Sequence, residues 1–234
     1  MDNGIQKVIN RGAKTYMIRS VIAPILMAVL YFAAAGSMNN HYAWIYFILF
    51  FVLSVSANGF FYINHRDLLF HRNSIKSDAK GWDKILMPTA VFSGFHLQSI
   101  VMGLDARFNW SYLGHRFSII GLVIFIISFL FTIWAMYVNR YFEANVRIQH
   151  DREHRVISEG PYRFIRHPGY VSFIMTTFSI PLIFGSLYGF INAVISTVLI
   201  LIRTGMEDQT LKNELDGYAD YAQKVKYRIL PGFW

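Results

Sequence analysis

The residues best able to do chemistry in this chain fall into two short groups. The first runs Gly160-Pro161-Tyr162-Arg163-Phe164-Ile165-Arg166-His167-Pro168-Gly169-Tyr170 and closes a charged segment that begins at Glu143. The second, one apolar stretch later, is Arg203, Glu207 and Asp208. Pro168 fixes its own φ and lacks an N–H, which suits the first position of a helix. It also steers His167 away from the α region, so the imidazole is held in a defined extended geometry. The helix that Pro168 opens presents free N–H groups to a polar or anionic ligand. Tyr162 and Tyr170 offer flat faces for a purine or a cation. Arg203 and Glu207 stand four apart, on one face of a helix. Arg203 can fork a carboxylate or phosphate, and Glu207 with Asp208 can hold a cation or accept from ribose hydroxyls. The plain alternative is an ordinary Arg203–Glu207 surface salt bridge, with Arg163 and Arg166 acting merely as topology-setting cations.

The elements that must position these groups are membrane helices. Of the 234 residues 54% are hydrophobic and only 15% charged, well under the roughly 25% charged of a soluble domain. The mean hydropathy is positive, at +0.34. Long charge-free runs carry the apolar residues, which defines an all-α integral membrane protein. There is no cysteine, so disulfides, thiolate metal sites and cysteine nucleophiles are excluded. The net charge of +8 sits in loops beside apolar runs, which points to anionic membrane lipids rather than nucleic acid.

About six spans are expected. Residues 20–64 exceed one crossing at about 20 residues each and are broken near Gly36, Asn39, Asn40 and His41, which gives spans at 20–38 and 42–63. The basic flank 1–19 is either an amphipathic surface helix or a topology signal, and it precedes an anchored helix rather than a cleavable leader. Residues 64–84 form a basic loop with Trp82 at interface depth; its His65 and His71, six apart, do not have a metal-ligand spacing, and no metal is expected. The span at 85–104, with Pro88, Gly94, His96 and Gln98, is the most polar and is expected to face the bundle interior. His96 either lines a cleft or is a satisfied interior histidine. Residues 105–116 read as a loop with Trp110 and Tyr112 at interface depth, and 117–139 as the fourth span. Pro181 and the Gly185, Ser186, Gly189 cluster divide the next run into a hairpin of two short arms, 169–184 and 187–204. In the tail, Leu211, Leu215, Tyr218, Ala222 and Val225 recur at helical spacing, which gives an amphipathic helix broken near Gly217 and ended by Pro231. The chain thus divides into four N-terminal spans (1–138) and a region carrying the site (139–234).

Orientation follows from lysine and arginine placement. Of the 22 such residues, all but Arg107 and Arg116 fall on one side of a six-span arrangement. That side, with both termini and both polar groups, is expected to be cytoplasmic.

The order of these motifs resembles the isoprenylcysteine carboxyl methyltransferase family, which is grouped with the membrane phospholipid methyltransferases. The matching pieces are His154-Arg155-Val156, Gly160-Pro161-Tyr162, Arg166-His167-Pro168-Gly169-Tyr170 and Arg203 through Leu211, continuing to Tyr218, Tyr221, Val225 and Leu230-Pro231. They cover about residues 139–234; the N-terminal half is similar only as a set of membrane helices. Two positions depart from the family pattern. Ser172 stands where glycine is common, and Glu207-Asp208 stands where paired glutamates are common. The resemblance implies methyl transfer from S-adenosyl-L-methionine at the membrane–cytosol boundary to a lipophilic small-molecule acceptor that arrives laterally. It implies that His154, Gly160, Tyr162, Arg166, His167, Pro168, Tyr170, Glu207 and Asp208 bind the cofactor. It implies that Arg203, fixed by Glu207, orients an anionic acceptor. A prenylcysteine-like carboxylate is the expected acceptor, and a phospholipid amine the alternative. For an amine, Glu207 or a histidine would be the base. Two other classes stand beside these: a nicotinamide-dependent membrane sterol-type reductase, which has a similar Arg-His-Pro-x-Tyr segment, and a non-enzymatic lipid-binding protein.

Overall fold

A computed structural model describes residues 2–73, 77–232 and 234, so Lys76 of the basic 64–84 loop lies outside the described residues. The chain is a helical bundle. Helix α1 (Asp2–Ala35) and α2 (His41–Asn64) form an antiparallel pair, followed by the short α3 (Arg66–Arg72). The third span, Asp83–Phe108, is built from α4 (Asp83–Val91), a π-helical turn (Phe92–Leu97) and α5 (Gln98–Phe108). Then come α6 (His115–Val138), α7 (Pro168–Phe184), α8 (Gly189–Glu214) and α9 (Tyr218–Lys224). Among the described residues five helices are long and apolar enough to cross a membrane, while α7, with 17 residues, is shorter. At 1.5 Å per residue α7 reaches roughly 25 Å, just under the hydrocarbon thickness. Apolar side chains such as Ile22, Val29, Ile48, Val52, Ile119 and Val198 are exposed on the outer faces, as expected where lipid replaces water.

Each of the six expected apolar segments is helical, with shifted boundaries, and five of them have the length of a span. The basic flank is not a separate surface helix, because α1 runs unbroken from Asp2. The third span extends to Phe108, so Asp105 and Arg107 lie in the helix and not in the loop. The reason is local. Buried Asp105 accepts from Ser111 N (2.8 Å) and Ser111 Oγ (2.6 Å), and from Ser186 Oγ, tying this helix end to the α7–α8 turn. The second hairpin arm is not short. Helix α8 continues to Glu214, 26 residues in all, because good helix formers carry it past the apolar run and out of the bilayer. The tail break falls at Leu215–Gly217, and α9 ends at Lys224, ahead of Pro231.

Span three does face the interior. A Cβ on Gly94 would meet Ser196 Oγ of α8 at 2.6 Å and Thr177 Cγ2 of α7 at 2.8 Å, so only glycine lets the π-turn close on both. Gln98, fully buried, donates to the carbonyls of Thr177 and Gly189, both at 3.0 Å. At the Asp105 end an aromatic core of Tyr31, Tyr46, Phe47, Phe125 and Phe184 fills the space between helices.

At the opposite end the basic segments are joined to one another. Arg66 donates to Asn10 (3.1 Å) and Arg19 to the Asn73 carbonyl (2.9 Å). Lys80 pairs with Glu214 (2.7 Å), and Arg152 with Asp67 (3.2 Å). The N-terminal turns, the 64–84 loop, the 140–168 segment and the tail therefore share one end of the bundle.

Candidate active site

Two buried arginine–aspartate forks organise this end. Arg203 of α8 donates from Nε to Asp83 Oδ1 (2.5 Å) and from Nη2 to Asp83 Oδ2 (3.1 Å). Asp83 opens α4 and also accepts from Val146 N at 2.7 Å. Arg203 further donates to the Ala144 carbonyl (3.0 Å) and to the Tyr170 hydroxyl. The Tyr170 hydroxyl in turn donates to Glu207. Arg203 Nη1 stands 3.9 Å from Glu207 Oε2. Asp83, more than Glu207, fixes Arg203. The direct Arg203–Glu207 contact is the weaker one, and Tyr170 bridges it.

In the second fork Arg166 meets Asp208 through Nε (2.7 Å) and Nη2 (3.0 Å), while its Nη1 donates to the carbonyls of Val225 (2.6 Å) and Lys226 (2.9 Å). Asp208 also binds Lys212 (3.0 Å), Arg228 (3.0 Å) and Tyr218 Oη (3.1 Å). His167 Nε2 is buried, stands 3.5 Å from Asp208 Oδ1 and makes no hydrogen bond. The backbone completes the clamp: Arg166 N donates to Tyr227 O (3.0 Å) and His167 N to Arg228 O (2.9 Å). His167 precedes Pro168 with φ −126° and ψ 63°, outside the α region as the proline requires.

The segment before α7 builds the remaining wall. Gly160 has φ +54°, and a Cβ there would meet Val138 Cγ2 at 2.8 Å, so glycine is needed on both counts. The short 3-10 turn after it, Gly160–Arg163, buries Tyr162, whose hydroxyl accepts from Asn139 (3.1 Å). Tyr221 Oη donates to the Tyr162 carbonyl (2.7 Å). Burial pushes the phenols of Tyr162, Tyr218 and Tyr221 up, so they stay protonated. His154 lies against Tyr141, ring centroids 4.5 Å apart. Its Nδ1 accepts weakly from Gln149 N at 3.4 Å. Burial, followed by the cations Arg147, Arg152 and His150, lowers His154 to about 4; it is a neutral ring at physiological pH. Arg147 is buried between Glu143 (2.9 Å), Asp151 (2.8 Å) and Asp78 (3.0 Å), which hold it firmly protonated, and it depresses Asp151 in return.

These residues surround one cavity of about 510 Å³, within the usual range of small-molecule sites. Its polar part is lined by His154, Tyr162, Tyr218 and Tyr221, and its middle by His167, Tyr170, Arg203 and Glu207. From there it runs into the bundle between Met27, Phe50, Phe95, Phe125 and Phe129, with His96 on its wall. The Arg166 and Pro168 positions also reach it. Gly160 and Asp208 are not on its wall: Gly160 shapes the turn behind Tyr162, and Asp208, fully buried, has both oxygens occupied by cations. A separate hollow of about 630 Å³ lies behind Arg166 among Lys212, Lys226, Arg228 and Trp234, and contains none of the Arg203, Tyr170, Glu207 group. Among the described residues no group of three or more His, Cys, Asp or Glu side chains could hold a metal. The sequence reading missed Asp83. Its signal was an acid next to Lys84, one residue before a charge-free run, where a buried carboxylate needs a partner.

The apolar helices thus carry a polar pocket at one end, and it is continuous with an apolar channel between them. The family model described as phospholipid methyltransferase matches residues 117–215, from α6 to the break after α8. No curated protein matches the chain. The resemblance read from the motifs therefore holds at the level of this family of membrane methyltransferases.

Proposed function

We propose that the protein transfers a methyl group from S-adenosyl-L-methionine to a lipophilic acceptor at the membrane–cytosol interface, and that the acceptor is a carboxylate of the prenylcysteine type. The observation that carries this reading is the single cavity that joins His167 and Tyr170 to Arg203 and Glu207 and then continues between Phe95, Phe125 and Phe129. The residues present fit the donor. His154 on Tyr141 and His167 on Tyr170 (5.5 Å, 14° between planes) offer flat faces for a purine. Glu207, on the cavity wall, supplies negative charge for a cationic ligand. When bound, S-adenosylmethionine supplies an electrophilic methyl group on a sulfonium, and its transfer to a carboxylate needs no proton movement.

The chain's own contribution is positioning and exclusion of water. Arg203, held on three sides by Asp83, Ala144 and Tyr170, is a rigid donor aimed at the acceptor. Bringing two reactants together in a defined geometry accounts for a large part of the barrier lowering expected here. The apolar stretch takes the hydrocarbon chain, which arrives from the bilayer. The lysine and arginine skew supports a cytoplasmic position for this end and both termini. A second reading is favoured by Glu207, whose hydrogen bond from Tyr170 orients it as a base for a phospholipid amine.

Methyl-labelled donor, offered with a prenylcysteine or with phosphatidylethanolamine in micelles, separates the two. The expected product is a base-labile methyl ester. Label in a base-stable amine selects the phospholipid reading, and no label in either overturns both.

A further inference from the structure

Five arginines line the cavity: Arg72, Arg147, Arg155, Arg166 and Arg203. Three are buried and neutralised within the protein, and the exposed Arg155 pairs with a carboxylate at the surface. Arg147 has Glu143 and Asp151, Arg155 has Glu153 (3.1 Å), Arg166 has Asp208 and Arg203 has Asp83. Arg72 has no carboxylate within 4 Å among the described residues. Its hydrogen bonds go to two uncharged oxygens, from Nε to Tyr16 Oη (3.0 Å) and from Nη1 to the Phe142 carbonyl (3.1 Å). Its guanidinium lies beside the rings of Tyr16 (5.5 Å) and Phe142 (5.0 Å). Three of its five N–H donors remain unused. It is half-buried, at the end of α3, where desolvation of an unpaired cation is unfavourable.

The surroundings tie this cation to the reaction end. Tyr16, Arg72 and Phe142 are all on the cavity wall. The Phe142 ring also covers Gly169 at the start of α7, where an added Cβ would come within 2.6 Å of it. The neighbouring acid Glu143 is occupied by Arg147 through both oxygens (2.9 and 3.1 Å). The unused charge of Arg72 therefore faces a space that joins the mouth of α7 to the apolar channel.

We infer that Arg72 is the cation that receives the oxyanion of the lipophilic acceptor, and so selects acceptors with an anionic headgroup. This rests on the methyltransferase reading for what happens next, but the binding itself does not. Arg203 has its charge met by Asp83 and acts as a directional donor; Arg72 supplies the unmatched positive charge. The oxyanion is a carboxylate in a prenylcysteine or a phosphate in a phospholipid.

Detergent-purified wild type, Arg72→Gln and Arg72→Lys are compared in equilibrium binding of a prenylcysteine with a free carboxylate and of its uncharged carboxamide. Lysophosphatidylethanolamine is measured in parallel. The expected result is that wild type prefers one of the two anions over the carboxamide by about tenfold or more, and that Arg72→Gln loses this preference while keeping carboxamide affinity. Arg72→Lys restores part of it. Preference for the carboxylate identifies the prenylcysteine class, and preference for the phosphate identifies the phospholipid class. Equal binding of anions and carboxamide by wild type, or an unchanged preference in Arg72→Gln, overturns the inference and leaves Arg72 as a topology cation. S-adenosylhomocysteine binding, measured on the same samples, stays within about twofold in the variants, as a charge-for-headgroup role requires. Its absence in wild type defeats the methyltransferase reading without touching the anion comparison.

Discussion

The two buried arginine–aspartate forks are chemically alike and differently employed. Arg166–Asp208 joins the segment before α7 to α8 and gathers the tail through Lys212, Tyr218, Arg228 and three backbone carbonyls. Its carboxylate has no surface on the cavity. Arg203–Asp83 joins α8 to α4 and the 144–146 backbone, and continues through Tyr170 to Glu207, which does face the cavity. Residue type and burial do not separate a structural fork from a functional one. What separates them is whether the network ends in the protein or in a space a ligand can enter. Breaking a buried pair costs about 3–5 kcal/mol because it strands a charge, so both forks resist substitution, for different reasons.

The largest expected effect is on stability. Asp208→Ala should lower it by about 3–5 kcal/mol, because Arg166, Lys212 and Arg228 lose their shared anion. Proteolysis of the tail after Leu215, together with a fall in Tm, reports it. A variant that melts like the wild type would show that the clamp is dispensable. Next comes Arg203→Lys, which keeps a cation opposite Asp83 but loses the fork. Turnover should drop about 10²–10³-fold, with S-adenosylhomocysteine affinity unchanged. If cofactor affinity falls equally, Arg203 belongs with the cofactor and the contrast between the forks is misdrawn.

Glu207→Gln sharpens the comparison further. For a carboxylate acceptor no proton is removed, so turnover should fall about tenfold or less through the loss of negative charge. For an amine acceptor, loss of a general base costs about 10²–10⁴-fold. The smallest effect concerns pH. His154 is held at about 4, against 6.5 for the free side chain. The unfolded chain therefore binds a proton that the folded chain does not, and this residue's contribution to stability declines as pH falls from 6.5 towards 4. In His154→Gln the slope of Tm against pH across that window should flatten; an unchanged slope assigns the dependence to other groups.

Much of this was readable in the sequence, because membrane burial makes polar residues conspicuous. The charge-free runs gave the spans, and the lysine and arginine skew grouped the segments that the structure joins at one end. Pro168 announced the start of α7 and the non-helical His167. Helix limits were less readable. Hydropathy alone ends the second hairpin arm at 204 and leaves the tail helix separate, yet Arg203 to Glu214 simply continue α8. The π-turn at Phe92–Leu97 has no periodic signature. Asp83 lies 120 residues from Arg203, and no local pattern links them; only the cost of an unpaired carboxylate at that depth could have. Asp208, adjacent to Glu207, was read as its twin, but neighbouring positions on a helix point about 100° apart, and so one faces the cavity and the other the clamp.

The most direct test of the central claim is calorimetric titration of the detergent-purified protein with S-adenosylhomocysteine, in wild type and in His167→Ala. The shared cavity between the start of α7 and the polar end of α8 predicts micromolar binding that weakens markedly in His167→Ala. Absence of binding to wild type, with clear binding of NADPH instead, would contradict it and point to the reductase class.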